Sequence, residues 1–296
     1  MSAQRPPTID PQAAQHWHGL PSEPSPWLHE EVARRMQERL GWIKLQPQSW
    51  AHWEPVRGGL QAQALLARRY PQAVCFMVES DIKKTQYAAK LTTKPWWQLS
   101  RWSAKPTRFE LPAEGGVQML WANMALHMVA DPQALMAQWH RALAVDGFLM
   151  FSCLGPDTLQ ELRALYKTLG WPPPTHEFTD MHDWGDMLAG VGFAEPVMDM
   201  ERITLTFETP ERLLQELRGI GRNLQPQRFA GLRARQWRAQ LLDALGQAPL
   251  QLTFEVIYGH ALKPAPKLTV SARSEISLQD MRTALAHSKN TQNGLP

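Results

Sequence analysis

Apolar positions along this chain come in short unbroken runs and in helically spaced sets, and the two alternate most regularly between Gly116 and Arg163. Val117-Gln118-Met119-Leu120-Trp121 is an apolar run that breaks at Ala122-Asn123, and Phe148 through Cys153 is a second. Both are too short for a solvent-facing helix, and Asp146-Gly147 supplies turn chemistry ahead of the second, so the pattern predicts buried strands. Between them Leu135, Trp139 and Leu143 recur at helical spacing, behind Asp131 as N-cap and Pro132 at the first helical position. A further helix is expected after Asp157 or Thr158, with Gln160 or Glu161 in capping-box position. Two apolar strands joined by a helix form a βαβ unit whose strands are parallel and covered on both faces. Ligands of such sheets sit beyond the carboxyl ends of the strands, which points to Asn123 and the loop from Leu154 to Asp157.

Trp27 to Leu40 places Val32, Met36 and Leu40 on one face and predicts an amphipathic helix ended by Gly41. Gln48 to Tyr70 predicts a strand (the weakly patterned SWAHWE), the loop Pro55-Val56-Arg57-Gly58-Gly59, and a helix. A glycine pair at that place lets the backbone approach a ligand at a helix N-terminus. Val74 to Val78 predicts a buried strand with Glu79 at its end, where α/β folds bind ribose hydroxyls. A solvated strand-end carboxylate is the plainer alternative for Glu79. After the rigid connector Pro172-Pro173-Pro174, helices are expected over Asp180–Gly190, Thr209–Leu217 and Phe229–Leu245. Strands are expected over Glu195–Met200, Ile203–Phe207 and Leu252–Leu262. The expected whole is α/β: a mostly parallel open sheet with an antiparallel C-terminal edge and helices on both faces. A flexible segment over 1–26, one domain over 27–263 with a lid region at 171–250, and a flexible tail over 264–296 complete the expected organisation.

Composition narrows the classes. The 296 residues are 44% hydrophobic and 20% charged, as in a globular protein, and a net charge of +3 makes no strong field for polyanions. Cys75 and Cys153 sit in apolar runs, as buried free thiols of a reducing compartment do. With no signal-peptide pattern and no apolar run of bilayer length, a cytoplasmic location without a membrane partner is expected. Lys83 to Pro112 mixes cations with aromatics, as single-strand nucleic-acid surfaces do. It carries no binding motif, so a covering loop with snorkelling lysines is expected and no nucleic-acid partner. His16-Trp17-His18 lacks a further ligand at metal spacing, and no metal is expected.

Four elements carry a family resemblance: Ala122-Asn123-Met124-Ala125, Phe151-Ser152-Cys153-Leu154, Leu217-Arg218-Gly219-Ile220-Gly221, and Pro249 through Phe254. Together they resemble class I S-adenosylmethionine-dependent methyltransferases, and more narrowly the malonyl-[acyl-carrier protein] O-methyltransferases of biotin synthesis. The similarity runs from about Ile9 to Pro264. It implies a Rossmann-like methyltransferase sheet in a monomer that methylates the free carboxylate of a malonyl thioester on acyl carrier protein. It implies S-adenosyl-L-methionine as cofactor, with Gly58, Gly59, Glu79, Ser103 and Asn123 as cofactor-binding candidates. A carboxylate is already ionised at neutral pH, so positioning suffices and no catalytic residue is expected. Its recognition asks for a guanidinium, for which Arg163, Arg218 and Arg222 are candidates, with Trp17 as an aromatic over the substrate. The arginines from Arg212 to Arg238 suit docking of an acidic carrier, or equally a solvated helical face. The chain departs from the family at the first loop. His52 through Gly59 replaces an acid followed by G-x-G-x-G, and Arg57 brings a side chain where the family brings hydrogen. Ser103-Ala104 replaces the aspartate-alanine pair that flanks adenine. The competing expectation is therefore a catalytically inactive relative that keeps the fold and binds a carrier or other protein.

Overall fold

A computed structural model describes residues 9–20, 25–92, 107–229, 231, 233–247 and 249–266. Its centre is a seven-stranded sheet in the order β3-β2-β1-β4-β5-β7-β6. β1 (Ser49–Trp53), β2 (Val74–Val78), β3 (Thr107–Arg108), β4 (Val117–Ala122) and β5 (Leu143–Leu154) run parallel. β7 (Gln251–Leu262) lies antiparallel between β5 and β6 (Ala194–Thr206), which closes the C-terminal edge. This is the α/β sheet that the run pattern predicts.

The period of two in β4 divides its side chains between the faces. Met119 and Trp121 enter one core with Met36, Trp50 and Phe254; Leu120 and Ala122 enter the other with Trp139, Phe151 and Leu188. The first core is covered by α2 (Trp27–Arg39) and α4 (Ala62–Arg69). The second is covered by α6 (Pro132–Ala142) and α8 (Met181–Val191). Asp131 caps α6 through the Ala134 N–H, as its place before Pro132 predicts. Cys75 and Cys153 are buried free thiols. Among the described residues no helix is long and apolar enough to cross a membrane.

Several elements differ from expectation. Residues 11–19, within the segment expected to be partly disordered, form α1 (Pro11–Gly19), anchored by Ala14 and Trp17. Ile82–Thr92, expected as a covering loop, is helix α5; Ser103 and the Trp-rich stretch before it lie outside the described residues. α7 (Gln160–Thr168) follows Leu159 in left-handed backbone rather than a capping box. Glu161 turns instead to the Thr253 N–H and hydroxyl at 3.0 and 2.6 Å, which pins α7 to β7. Leu143 opens β5 instead of ending α6, and the two short late strands are one strand, β6. α9 (Pro210–Ile220) is capped by Thr209 as expected, whereas α10 (Arg235–Gly246) starts six residues later than the arginine-rich pattern suggests.

Candidate functional site

The register aligns Trp53 at the end of β1 with Val78 on β2 and Ala122 on β4, so Glu54, Glu79 and Asn123 leave the sheet side by side. The loop after β1 does not stay open. Glu54 adopts left-handed backbone with φ 46°, and Pro55–Gly58 closes into one helical turn, α3. The Gly58 N–H donates to the Glu54 carbonyl at 2.9 Å and the Gly59 N–H to the Pro55 carbonyl at 3.0 Å. Pro55 has no N–H to offer. The Val56 N–H donates to the Glu79 carboxylate at 2.8 Å. The N–H groups of Val56, Gly58 and Gly59, donors with which such a loop would cradle a ligand, are thus spent inside the protein.

Asn123 is buried at the β4 exit, and its amide donates to the carbonyls of His29, at 2.8 Å, and of Gly58. Its own oxygen accepts from the Ser152 hydroxyl at 2.6 Å. A side chain on Gly58 would meet the Asn123 carbonyl at 2.5 Å, so close approach explains the glycine there. Gly59 has φ +116°, which a side chain would strain.

Arg57 fills the remaining space. Its guanidinium donates to the Trp17 and Leu20 carbonyls at 2.6 and 3.1 Å and lies 4.0 Å from the centre of the Trp17 ring. Lys84 on α5 donates to the His18 carbonyl at 2.7 Å. Two cations thereby hold the C-terminal end of α1 over the strand ends. The cavity left between Glu54, Arg57, Asn123 and Trp17 measures about 20 Å³, room for about one water.

Burial sets the charges here. It pushes the Glu79 carboxyl from 4.5 up to about 7, against the Val56 N–H, and the nearby Glu54 raises it further. Burial also lowers His29 to about 4. His29 is therefore neutral, and its Nδ1, 2.7 Å from the Arg57 carbonyl, carries the proton. Because Glu79 binds its proton more tightly folded than unfolded, its stabilising contribution is full below about pH 4.5 and is lost as pH rises through about 7. At roughly 1.4 kcal/mol per pKa unit, the loss is roughly 3 kcal/mol. Glu79→Gln should abolish it. Urea unfolding at pH 4.5 and pH 8 should show the variant gaining on wild type by about that amount, and parallel pH profiles would count against the assignment.

Two larger cavities flank this closed centre. One, of about 390 Å³, is lined by Trp17, Arg57, Arg218 and Arg222 among others. The other, of about 320 Å³, is mostly apolar and shares Arg218 and Arg222 with the first. The structure thus brings Trp17, Arg218 and Arg222 together, with Arg222 5.3 Å from the Trp17 ring centre. Arg163 lines neither cavity and donates to the Pro156 carbonyl at 2.5 Å. Arg233, from the arginine-rich stretch, is stacked among Phe229, Tyr166, Trp171 and Trp237. Arg228 pairs with Asp10 at 2.6 Å. The residues that close the centre, among them His18, Glu54 and Lys84, carry no motif. They come from distant segments and meet only through the packing of α1.

Comparison with known proteins adds kinship to this geometry. A malonyl-[acyl-carrier protein] O-methyltransferase of Gallionella capsiferriformans is 40% identical over 258 residues, covering 81% of this chain and 86% of its own. That of Laribacter hongkongensis is 38% identical over 81% of this chain and 84% of its own. Among solved structures, the YcgJ protein of Bacillus subtilis superposes with a TM-score of 0.53 at 13% identity, over 80% of this chain and 99% of that one. No family model matches the chain.

Proposed function

The chain belongs to the malonyl-[acyl-carrier protein] O-methyltransferase family and is a methyltransferase, and from that premise we propose that its cationic cavity receives the free carboxylate of a malonyl thioester. The observation that carries this reading is the wall itself: Arg57, Arg218 and Arg222 come together around one cavity. A guanidinium fork matches a carboxylate in shape and charge. The carboxylate is the nucleophile and is ionised at neutral pH, so the chain's task is orientation and exclusion of water. Trp17 provides a flat apolar wall beside the arginines. Arg218 and Arg238 are exposed at the rim, where they suit the acidic surface of an acyl carrier protein, whereas Arg233 is committed to its aromatic neighbours. The product would be the malonyl methyl ester of biotin synthesis.

S-adenosyl-L-methionine supplies the methyl group when bound. Gly58, Gly59 and Glu79 are the described residues that would face it, and Asn123 would support them. In the arrangement described they do not accommodate it: the Val56, Gly58 and Gly59 N–H groups are spent, Glu79 is turned to Val56, and Arg57 occupies the space. Binding requires α1 and the Arg57 side chain to withdraw.

Mass spectrometry of malonyl-[acyl-carrier protein] incubated with the protein and S-adenosylmethionine tests this reading by the appearance of the methyl ester. Arg218→Gln should lower kcat/KM about ten- to a hundredfold, as loss of a charged hydrogen bond does. A carrier that binds and is never methylated would overturn it.

A further inference from the structure

α1 is held at both ends. Arg57 and Lys84 hold its C-terminal end from the cofactor side. Residues 221–228, which run on from the end of α9, hold its N-terminal end. The Asp10 N–H donates to the Leu224 carbonyl at 2.9 Å, and the Arg228 guanidinium donates to the Asp10 carboxylate at 2.6 Å. That carboxylate also caps α1, accepting from the Gln12 and Ala13 N–H groups at 2.9 and 3.3 Å. Leu224 is buried in one cluster with Ala14 and Trp17. The same segment borders the apolar cavity of about 320 Å³, with Gly221 and Asn223 in its wall. The Asn223 amide donates to the Pro173 carbonyl at 2.8 Å, beside Pro174, which lines the cavity as well.

One segment therefore touches both the helix over the cofactor position and the wall of the apolar cavity. When α1 withdraws, two outcomes compete. Parting from the segment breaks the Arg228 pair, the Asp10–Leu224 backbone bond and the Leu224 contact together. Taking the segment along keeps all three and gives up the neutral Asn223 bond to Pro173. A charge-assisted bond is about twice as strong as a neutral one, so the second outcome wins. We propose that residues 221–228 are a coupling strap: withdrawal of α1 draws the strap off the apolar cavity through the Asp10–Arg228 clasp, so admission of the methyl donor opens the substrate side. The proposal rests on the reading that the methyl donor enters beneath α1, and adds that the two sites are energetically coupled. Coupling of this kind is reciprocal: whatever opens the strap also eases entry of the methyl donor. It is carried by one element with two arrangements that both sites bias.

Hydrogen-exchange mass spectrometry of the full chain tests this without a ligand. Lys84→Met removes the anchor on the His18 carbonyl, at the end of α1 away from the clasp. Exchange in α1 should quicken about tenfold, as loss of a charged hydrogen bond implies, and exchange in residues 221–228 should quicken with it. In an Arg228→Gln background the same substitution should still quicken α1 and leave the strap unchanged. Asp10→Asn, which keeps a good N-cap residue and removes the charge, should cut the coupling in the same way. Peptides from β4 and β5 should exchange as in wild type throughout, which separates release of α1 from general unfolding; Lys84→Gln takes the place of Lys84→Met if they do not. Saturating S-adenosylhomocysteine should quicken the strap in wild type and not in Arg228→Gln. A strap untouched by Lys84→Met in a folded variant, or quickened equally in the Arg228→Gln background, would overturn the proposal. Coupled exchange without S-adenosylhomocysteine binding would leave the strap standing and remove the cofactor reading; binding with no change in the strap would overturn the strap alone.

Discussion

Replacing Arg57 by glycine should raise the affinity for S-adenosylmethionine at least tenfold, and should raise it more than the affinity for S-adenosylhomocysteine. Two causes act together. The substitution removes the side chain that reduces the central cavity to about 20 Å³ and releases the anchor on the Trp17 and Leu20 carbonyls. It also removes a cation. Two unit charges about 4 Å apart near a protein surface repel by about 4 kcal/mol. S-adenosylmethionine carries a positive sulfonium and its demethylated product does not, so the charge part of the gain falls on the methyl donor alone. Calorimetric titration of both nucleosides against both proteins separates space from charge. An equal gain for the two would assign the block to volume, and no gain for either would show that α3, which spends the loop N–H groups, is the true barrier. The variant should also be cut sooner by protease within α1, because one of the two cations holding that helix is gone.

The elements that could be read from sequence are those whose local chemistry agrees with their tertiary setting. β2, β4 and β7 are apolar or β-branched runs, and burial on both faces of a sheet asks for that. β1 reads poorly because Trp50, Ala51, His52 and Trp53 are its buried residues, and a histidine in an apolar run looks like an interruption. In the fold His52 is fully buried, 3.2 Å from the Gln63 amide oxygen on α4, and burial lowers it to about 4, so it is a neutral core residue. α1 was hidden for the opposite reason. Its mean composition is polar, and only Ala14 and Trp17 bury, in a small cluster with Met128 and Leu224 from elsewhere in the chain.

The site divides in the same way. Arg218, Arg222 and Trp17 were legible through resemblance, and the fold gathers them. Glu79 was legible as an acid at a strand end, yet its partner is the Val56 N–H; no spacing rule reveals that the loop opposite closes into a helix. Arg163 lies on a helix that points its fork at a loop carbonyl, a local choice invisible to a pattern of charges. Arg57 was visible as a departure, but its effect depends on α1 lying above it, some forty residues earlier in the chain.

Asn123→Ala should destabilise the protein by about 3–5 kcal/mol, the range of a broken buried polar network. Asn123 is 1% exposed and joins three segments: its amide reaches the His29 and Gly58 carbonyls, and its oxygen takes the Ser152 hydroxyl. Alanine leaves both carbonyls and the hydroxyl without that partner in a dry interior, where each orphaned group costs about 1–3 kcal/mol. Ser152 retains the Met124 N–H at 3.1 Å, which keeps the total below the simple sum. Asn123→Asp is the sharper probe. It is nearly the same size, so packing is preserved, but a carboxylate oxygen then faces two carbonyl oxygens and cannot donate to both. It should destabilise at least as much as alanine, and more at pH 8 than at pH 5, because the neutral acid can still donate one hydrogen bond. Guanidinium unfolding midpoints at the two pH values decide this. A loss below about 1 kcal/mol for alanine would mean that the β1 loop and α2 hold their places without Asn123. The predicted loss instead makes it the bolt between the closed loop and the β5 exit, with its effect on ligand binding secondary to its effect on the fold.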